Sequence, residues 1–425
     1  MIKSNAFCLF LVMGIPLFIN GIIADAFAEE AFKKVTLPEA LELMRANHPR
    51  IQAAEASVRG SEAGLRGVQN LPLFARLSPD IKYRRQQSEL GIEVTDAGLR
   101  QEIRDTSYGV TRAYYLVIYS QQQRELSEKV TKILQKNIKA LELKLALKKT
   151  PEDEVALQKL KFGLVEAKDK FSLAVTGHER AKALLIEEVG GRKKIGVIEP
   201  LDVGFPSYQL GDLLTPEFIG DIVEKAADIR EEVIKSSKAS QILALEVAAQ
   251  KSARFNPRFR TFASGSDLHY IPIGVQGRGE NFAPEAITIE MPSTLVGKKS
   301  DRVARAQAFA DRGAAVEEST RNLIRLEVRN AFQLLLETRN RFHELNKIAP
   351  ELRKIIDELH DNPVKFLNHE NAELFEKASR MLGSLNQASF LTMDNIADLE
   401  RITSGLFSLG LTSPATITSD GKPVK

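Results

Sequence analysis

Six histidines are the residues best placed to do chemistry, and their spacing gives them little to do. His343-Glu344 and His369-Glu370 each begin an H-E pair, but neither has a second histidine four residues on. The helix-borne H-E-x-x-H zinc pattern is therefore missing. His178 falls in an apolar heptad slot, where a packed or interface histidine is expected rather than a ligand. His48 sits in a helix-breaking turn and His269 in a β-like stretch. Gly274-Val275-Gln276-Gly277-Arg278-Gly279 lacks the Lys-Ser/Thr of a phosphate loop and reads as a turn. No catalytic residue, cofactor site or metal site is expected, and the chain does not read as an enzyme.

Composition points the same way. Lys plus Arg is 59 and Asp plus Glu 56, leaving a net charge of only +3. A dedicated nucleic-acid binder shows a stronger basic excess, so no nucleic-acid partner is expected. Trp is absent and aromatics make up 7% of the chain. Helix formers dominate, as long helices require. Most charged residues fall on exposed heptad positions and read as solvated helical faces.

Residues 1–28 read as a signal peptide. Lys3 supplies the positive start, an apolar run extends from Ala6 to Ile23, and Ala26-Phe27-Ala28 is a small-x-small cleavage site. Cleavage after Ala28 removes Cys8, the one cysteine, so the mature chain has no disulfide. After residue 28 no run approaches about 20 apolar residues, so a membrane crossing would require a closed β-barrel.

Stepping along the mature chain reveals one plan used twice. The first repeat, 29–189, opens at Val35-Thr36-Leu37-Pro38-Glu39, where Thr36 and Glu39 have capping-box spacing. Asn47-His48-Pro49 breaks that helix, and a second runs through Ile51, Ala54, Val58 and Leu65 to Pro72. A β segment is expected over 73–94. Leu73, Ala75, Leu77, Ile81 and Tyr83 share one face, with Leu90, Ile92 and Val94 as a shorter returning strand. That alternation fits a tilted membrane strand or a half-buried soluble sheet. From Leu99 to 189 the period is helical. Leu126, Val130, Ile133, Ile138, Leu141 and Leu145 mark one helix, Lys148-Lys149-Thr150-Pro151 a turn, and Leu157 through Leu185 a return helix. The two form an antiparallel coiled-coil hairpin.

Residues 190–216, rich in Gly and Pro, read as a linker. The second repeat, 217–407, has a helix from about Pro216 to Phe255 and a β segment over 258–292 with Ile287, Ile289 and Met291 on one face. A second hairpin, 298–407, follows. Its outgoing helix steps by fours and threes from Ile324 to Leu359 through Pro350, where a kink is expected. The turn is Asp361-Asn362-Pro363. The return helix uses Leu374, Ala378, Met381, Leu385, Ala388, Leu399, Ile402 and Leu406. Residues 408–425 read as a polar tail. Leu335 lies in the seam and Glu327 off it, so Leu335→Asp should abolish assembly while Glu327→Ala should be nearly silent.

These features together resemble the TolC-like outer-membrane efflux channel family. The likeness rests on Thr36–Leu41 with Asn47-His48-Pro49, on Ala53–Leu65 leading to Leu71-Pro72, and on Val110–Tyr115 with its counterpart Val328–Phe332. Glu290-Met291-Pro292 through Lys298 adds the junction of the second repeat. The resemblance implies a homotrimer whose strands share one β-barrel in outer-membrane lipid and whose hairpins form a periplasmic tunnel. The function implied is an exit duct for solutes, without catalysis; the alternative is a periplasmic coiled-coil scaffold lacking a complete pore. Partners implied are a periplasmic adaptor and an inner-membrane pump. Lys148, Lys149, Thr150, Pro151, Asp361, Asn362, Pro363, Phe366 and Leu367 would be the adaptor-docking tips. One departure stands out: Pro72 to Tyr114 is about thirty residues shorter than the matching interval of the second repeat.

Overall fold

The computed structural model describes residues 33–147, 150–206, 208, 214–253, 295–361 and 369–412. It is built mainly from helices, two of them very long. Strand β1 (Lys33–Val35) leads into α1 (Leu37–Asn47), and Thr36 closes the expected capping box with Glu39. The Thr36 backbone N–H donates to the Glu39 carboxylate at 2.8 Å, which holds that exposed carboxyl below its usual range. His48 ends α1 and caps α2 (Pro49–Gln69), with Pro49 at the first helical position.

Next come a single turn, α3 (Leu73–Arg76), and then α4 (Ile81–Leu147), 67 residues long, or about 100 Å at 1.5 Å per residue. Thr150 caps α5 (Pro151–Val189) through the Asp153 N–H at 3.3 Å. The helix stops at Gly190-Gly191, where the Gly191 N–H reaches back to the Ile186 carbonyl at 2.9 Å. Gly190 has φ 132°, and a Cβ there would lie 2.9 Å from the Asn47 Cβ, so only glycine fits.

The expected linker is partly structured. It holds α6 (Arg192–Ile195) and β2 (Ile198–Pro200), which pairs in parallel with β1, Lys33 opposite Ile198. The Tyr114 hydroxyl braces this small sheet against α4, lying 3.2 Å from the Val35 carbonyl and 2.6 Å from Asp202. The helix expected over 216–255 is two helices, α7 (Pro216–Ile229) and α8 (Glu231–Ser252), broken where Arg230 turns extended. α9 (Lys299–Asp361) runs 63 residues with Pro350 inside it, and α10 (His369–Ile402) returns beside it.

Packing follows the duplicated plan. α4 carries α2 along one half and α5 along the other; α9 carries α8 and α10 in the same way. The two units join because α8 and α10 also pack on α4. The result is a layer ordered α2–α4–α8–α9 in one half and α5–α4–α10–α9 in the other. Gly313 lets α8 approach α9 closely, since a Cβ there would meet Leu243 at 2.8 Å. The seams assign themselves as the heptads require. Ile324, Val328, Leu335, Ala349, Leu352, Ile356 and Leu359 are buried, as are Ile133, Ile138, Leu141, Leu160 and Leu185.

Three expectations are corrected. The β segment over 73–94 is helical: Leu73 and Ala75 lie in α3, Leu77 just after it, and Ile81, Tyr83 and Leu90–Val94 in α4. The face that α4 buries here is polar, Arg84, Gln87 and Ser88 at i, i+3 and i+4, so hydropathy could not register its period. The tail does not begin at 408. Phe407, Ser408, Leu411 and Thr412 are buried, and the Glu400 carboxylate accepts the N–H groups of Leu409, Leu411 and Thr412. Near its start α10 turns Phe375 inward, 3% exposed, and leaves Leu374 44% exposed, one residue off the expected seam. Ile287, Ile289 and Met291, with the 258–292 segment, lie outside the described residues.

Candidate functional site

Three regions bear on function: a buried ion cluster at mid-height, the groove and tips at the hairpin end, and the junctions at the opposite end.

The ion cluster forms where α7 gives way to α8. Arg230 is buried there, its guanidinium held by the Glu232 carboxylate at 2.9 and 3.0 Å and by Glu327 of α9. Arg401 of α10 sits beside it, 2.8 Å from Asp398 and 3.4 Å from Asp105 of α4. It also lies over the Tyr108 ring at 5.4 Å. Burial pushes the Asp105 carboxyl up to about 6, against the pull of Arg401. Burial opposes the charge of both arginines, yet the surrounding carboxylates win and hold them above the ordinary guanidinium value. Burial lowers the Lys235 ammonium. Four helices thus converge on paired charges, which fixes how the two repeats meet.

Glu327 is accordingly not a solvated off-seam residue. It bridges Arg230 and Arg401, and the expectation that Glu327→Ala would be silent is withdrawn. The sequence signal that pointed here is the run Arg230-Glu231-Glu232 at a helix break, which a reading of charges as solvated faces passes over. His178 is a packed histidine: buried, with its Nδ1 3.1 Å from the Ser120 hydroxyl, and with a pKa lowered by burial and by Arg124 and Lys182. Among the described residues no His, Cys, Asp and Glu side chains gather closely enough to hold a metal ion.

At the hairpin end α5 and α10 both rest on α4, with far less contact between themselves. Between them lies a groove of about 910 Å³, floored by Leu126, Val130, Leu134 and Leu141 and rimmed by charged residues of α5 and α10. Leu147 ends α4, fully extended into solvent, and Thr150-Pro151 start α5, so the first turn falls where the spacing predicts. Asp361 ends α9. Across the gap between hairpins, Lys129 pairs with Asp357 at 2.5 Å and Lys136 meets His360 at 3.1 Å. Lys148, Lys149, Asn362, Pro363, Phe366 and Leu367 lie outside the described residues.

At the opposite end Arg84, 1% exposed, ties α4 to α8. It donates to both oxygens of Glu246, to Gln87 at 2.9 Å and to Asp80 at 3.4 Å. Burial raises the Glu246 carboxyl, but Arg84, Gln250 and Gln87 overcome it and hold it below its ordinary value. Arg302 of α9 reaches the Gln250 carbonyl oxygen at 3.0 Å and the Gly297 carbonyl at 2.8 Å. No helix among the described residues is long and apolar enough to cross a membrane.

No family model matches the sequence, and no curated protein matches it either. Solved structures do resemble it. The outer-membrane channel OprN aligns over 92% of this chain and 96% of its own, with TM-score 0.67 at 14% identity. The open state of the Neisseria gonorrhoeae MtrE outer-membrane channel covers 87% and 89%, with TM-score 0.65 at 12% identity. The outer-membrane protein VceC of Vibrio cholerae covers 88% and 97%, with TM-score 0.64 at 11% identity. Together with the duplicated hairpins and the layer order, these likenesses establish that the chain has the TolC-like outer-membrane-factor fold.

Proposed function

We propose that this chain is the outer-membrane duct of a tripartite export system, passing solutes outward without catalysis. One observation carries the reading: among the described residues the helical layer leaves both long edges uncovered except at mid-height, where α7 packs on α9 and α1 on α5. α2 and α5 form one edge and α9 the other. On α5 the residues Val155, Phe162, Val165 and Leu173 stay exposed on the face opposite its seam. On α2 the outward face is small, with Ala53, Ala56, Gly60, Ala63 and Gly67, and on α9 it carries Ala304, Ala308 and Ala315. A layer with two different edges closes head to tail, edge to opposite edge, into a ring. A homotrimer is the ring this reading favours, its wall made of long helices around a polar tunnel. The groove above α4 and the turns below it then face a periplasmic adaptor and, beyond it, an inner-membrane pump.

The test is location and assembly. The chain, with its signal cleaved after Ala28, should fractionate with outer membranes and migrate as a heat-modifiable trimer. Phe162→Asp with Val165→Asp should dissociate it. A soluble periplasmic monomer would sink the reading. At the tips, Leu367→Asp with Lys149→Glu should leave the trimer intact and stop export; normal export at parental abundance would show that the turns are not the docking surface.

A second reading, a periplasmic coiled-coil scaffold without a complete pore, is favoured by the helical junction of the first repeat, where Leu73–Tyr83 supply no strand. Conductance of the purified trimer in a planar bilayer separates the two. On the duct reading Ile287, Ile289 and Met291 remain the proposed membrane-strand residues.

A further inference from the structure

The first repeat ends in an elbow, residues 70–80, whose exposed side chains do not suit water. Leu73, the first residue of the single turn α3, is 76% exposed, and Leu77, just after it, 79%. Nothing else in the described chain covers them. The charges around them are one-sided. Arg76, Lys82 and Arg85 are exposed, and Lys82 lies over the Tyr83 ring at 4.7 Å. The one carboxylate inside the elbow, Asp80, is buried, engaged by Arg84 and by the Ser78 hydroxyl. The next, Glu89, is taken up by Arg85 at 3.2 Å. What the elbow shows outward is therefore an apolar tip with a cationic rim.

Its place in the molecule matters as much as its chemistry. Arg84 fastens the start of α4 to Glu246 near the end of α8, and Arg302 fastens the start of α9 to Gln250. The elbow therefore lies at the same end of the layer as Ala253 and Leu295, where the chain leaves and re-enters the described structure. An apolar tip of a few residues ringed by Lys and Arg fits the boundary between headgroups and acyl chains of an anionic lipid surface. It is far too short to cross: four helical residues rise about 6 Å against a hydrocarbon core of about 30 Å.

We propose that this elbow is an interfacial foot: Leu73 and Leu77 insert into the surface of the bilayer that the second repeat meets, and Arg76 and Lys82 engage its anionic headgroups. This rests on the membrane location argued above. The first repeat would then touch the membrane without contributing a strand to it.

The chain contains no tryptophan, so one introduced at the elbow reports alone. The full mature chain carrying Leu77→Trp is mixed with phosphatidylethanolamine–phosphatidylglycerol vesicles, with and without brominated acyl chains. The expected result is emission shifted to the blue, strong quenching by the brominated lipid, and weaker quenching in vesicles without phosphatidylglycerol. Leu173→Trp, placed on α5, should remain unquenched. A chain that floats with the vesicles while the Leu77→Trp emission stays solvent-like overturns the elbow proposal alone. Blue-shifted emission without quenching also overturns it, and means that a neighbouring copy covers the tip. A chain that does not float overturns both this proposal and the membrane location.

Discussion

The two repeats arrive at the same end of the molecule and turn back in different ways. The first passes from α2 to α4 through residues 70–80, with a single helical turn on the way and fastened at its far side by a buried arginine. The second passes from α8 to α9 through residues 253–298, about four times as long. The helices themselves keep the repeat symmetry: α4 has 67 residues and α9 has 63, and each carries two shorter helices end to end. What differs is only the junction. The helical layer and its junctions are thus separable, because coiled-coil seams stabilise the layer along its whole length while each junction merely has to return the chain. On the proposed function, strands that cross a membrane are expected from the second repeat, since Leu73–Tyr83 of the first form none.

That contrast can be broken directly. Replacing residues 254–294 with a copy of residues 71–79 makes the second junction like the first. The variant should keep its helical circular-dichroism signal and its oligomeric state. It should lose integral membrane association, leaving protein that high salt extracts. Continued resistance to extraction would show that the first repeat, not the second, holds the chain in the bilayer.

The first junction can also be loosened. Arg84→Ala takes from Glu246 and Asp80 the arginine that both face, a change that costs about 3–5 kcal/mol when one partner of a buried pair is removed. Arg302→Ala, at the second junction, removes at least its bonds to the Gln250 side-chain oxygen and the Gly297 carbonyl and should cost about 1–3 kcal/mol or more. Urea unfolding of the detergent-solubilised chain measures both. Equal losses would mean that the two junctions are held alike.

Glu327→Ala tests where the repeats are joined rather than where they turn. It leaves Arg230, buried, with Glu232 alone, and Arg401 with Asp398 and Asp105. A loss of about 2 kcal/mol is expected, less than for Arg84 because the Glu327 side chain keeps some contact with water. A silent substitution would restore the simple view of Glu327 as a surface residue.

How far the sequence disclosed all this depends on what each face buries. Where a helix buries leucine and isoleucine at heptad spacing, as from Ile324 to Leu359, period and phase were both legible. The capping box marked Thr36 and the glycine pair marked the stop at Gly190 with similar clarity, whereas Thr150 was read only as part of a turn. Where the buried face is Arg84, Gln87 and Ser88, a hydropathy pattern has nothing to follow, and chance alternation from Leu73 to Tyr83 imitated a strand. The ion cluster was hidden for a related reason. Arg230, Glu327 and Arg401 are far apart in the chain, and only the folded layer makes partners of them. The groove between α5 and α10 belongs to neither helix and has no local signature at all.

The most specific effect expected is a change with pH, because its sign is opposite to that of an ordinary salt bridge. Asp105 titrates at about 6 in the folded chain against 3.8 for the free side chain, and burial is the main cause. A carboxyl with a raised folded-state pKa favours folding most where it is protonated in both states, below about pH 4. Its contribution is lost as pH rises from there through 6, because ionising it in the folded state is costly. At 1.36 kcal/mol per pKa unit the loss is at most about 3 kcal/mol. The neighbours that temper it are Arg401 and Arg230, which lower the pKa, and Glu232 and Glu102, which raise it. Asp105→Asn stays neutral throughout, and Arg401 retains Asp398 at 2.8 Å. The variant should therefore match the parent near pH 4 and become the more stable of the two by pH 7, by less than that limit. Thermal unfolding across pH 4–7 gives the difference curve. A variant that falls below the parent as pH rises would show that the Asp105–Arg401 attraction outweighs burial, and that this cluster is an ordinary pair of charges on the inside.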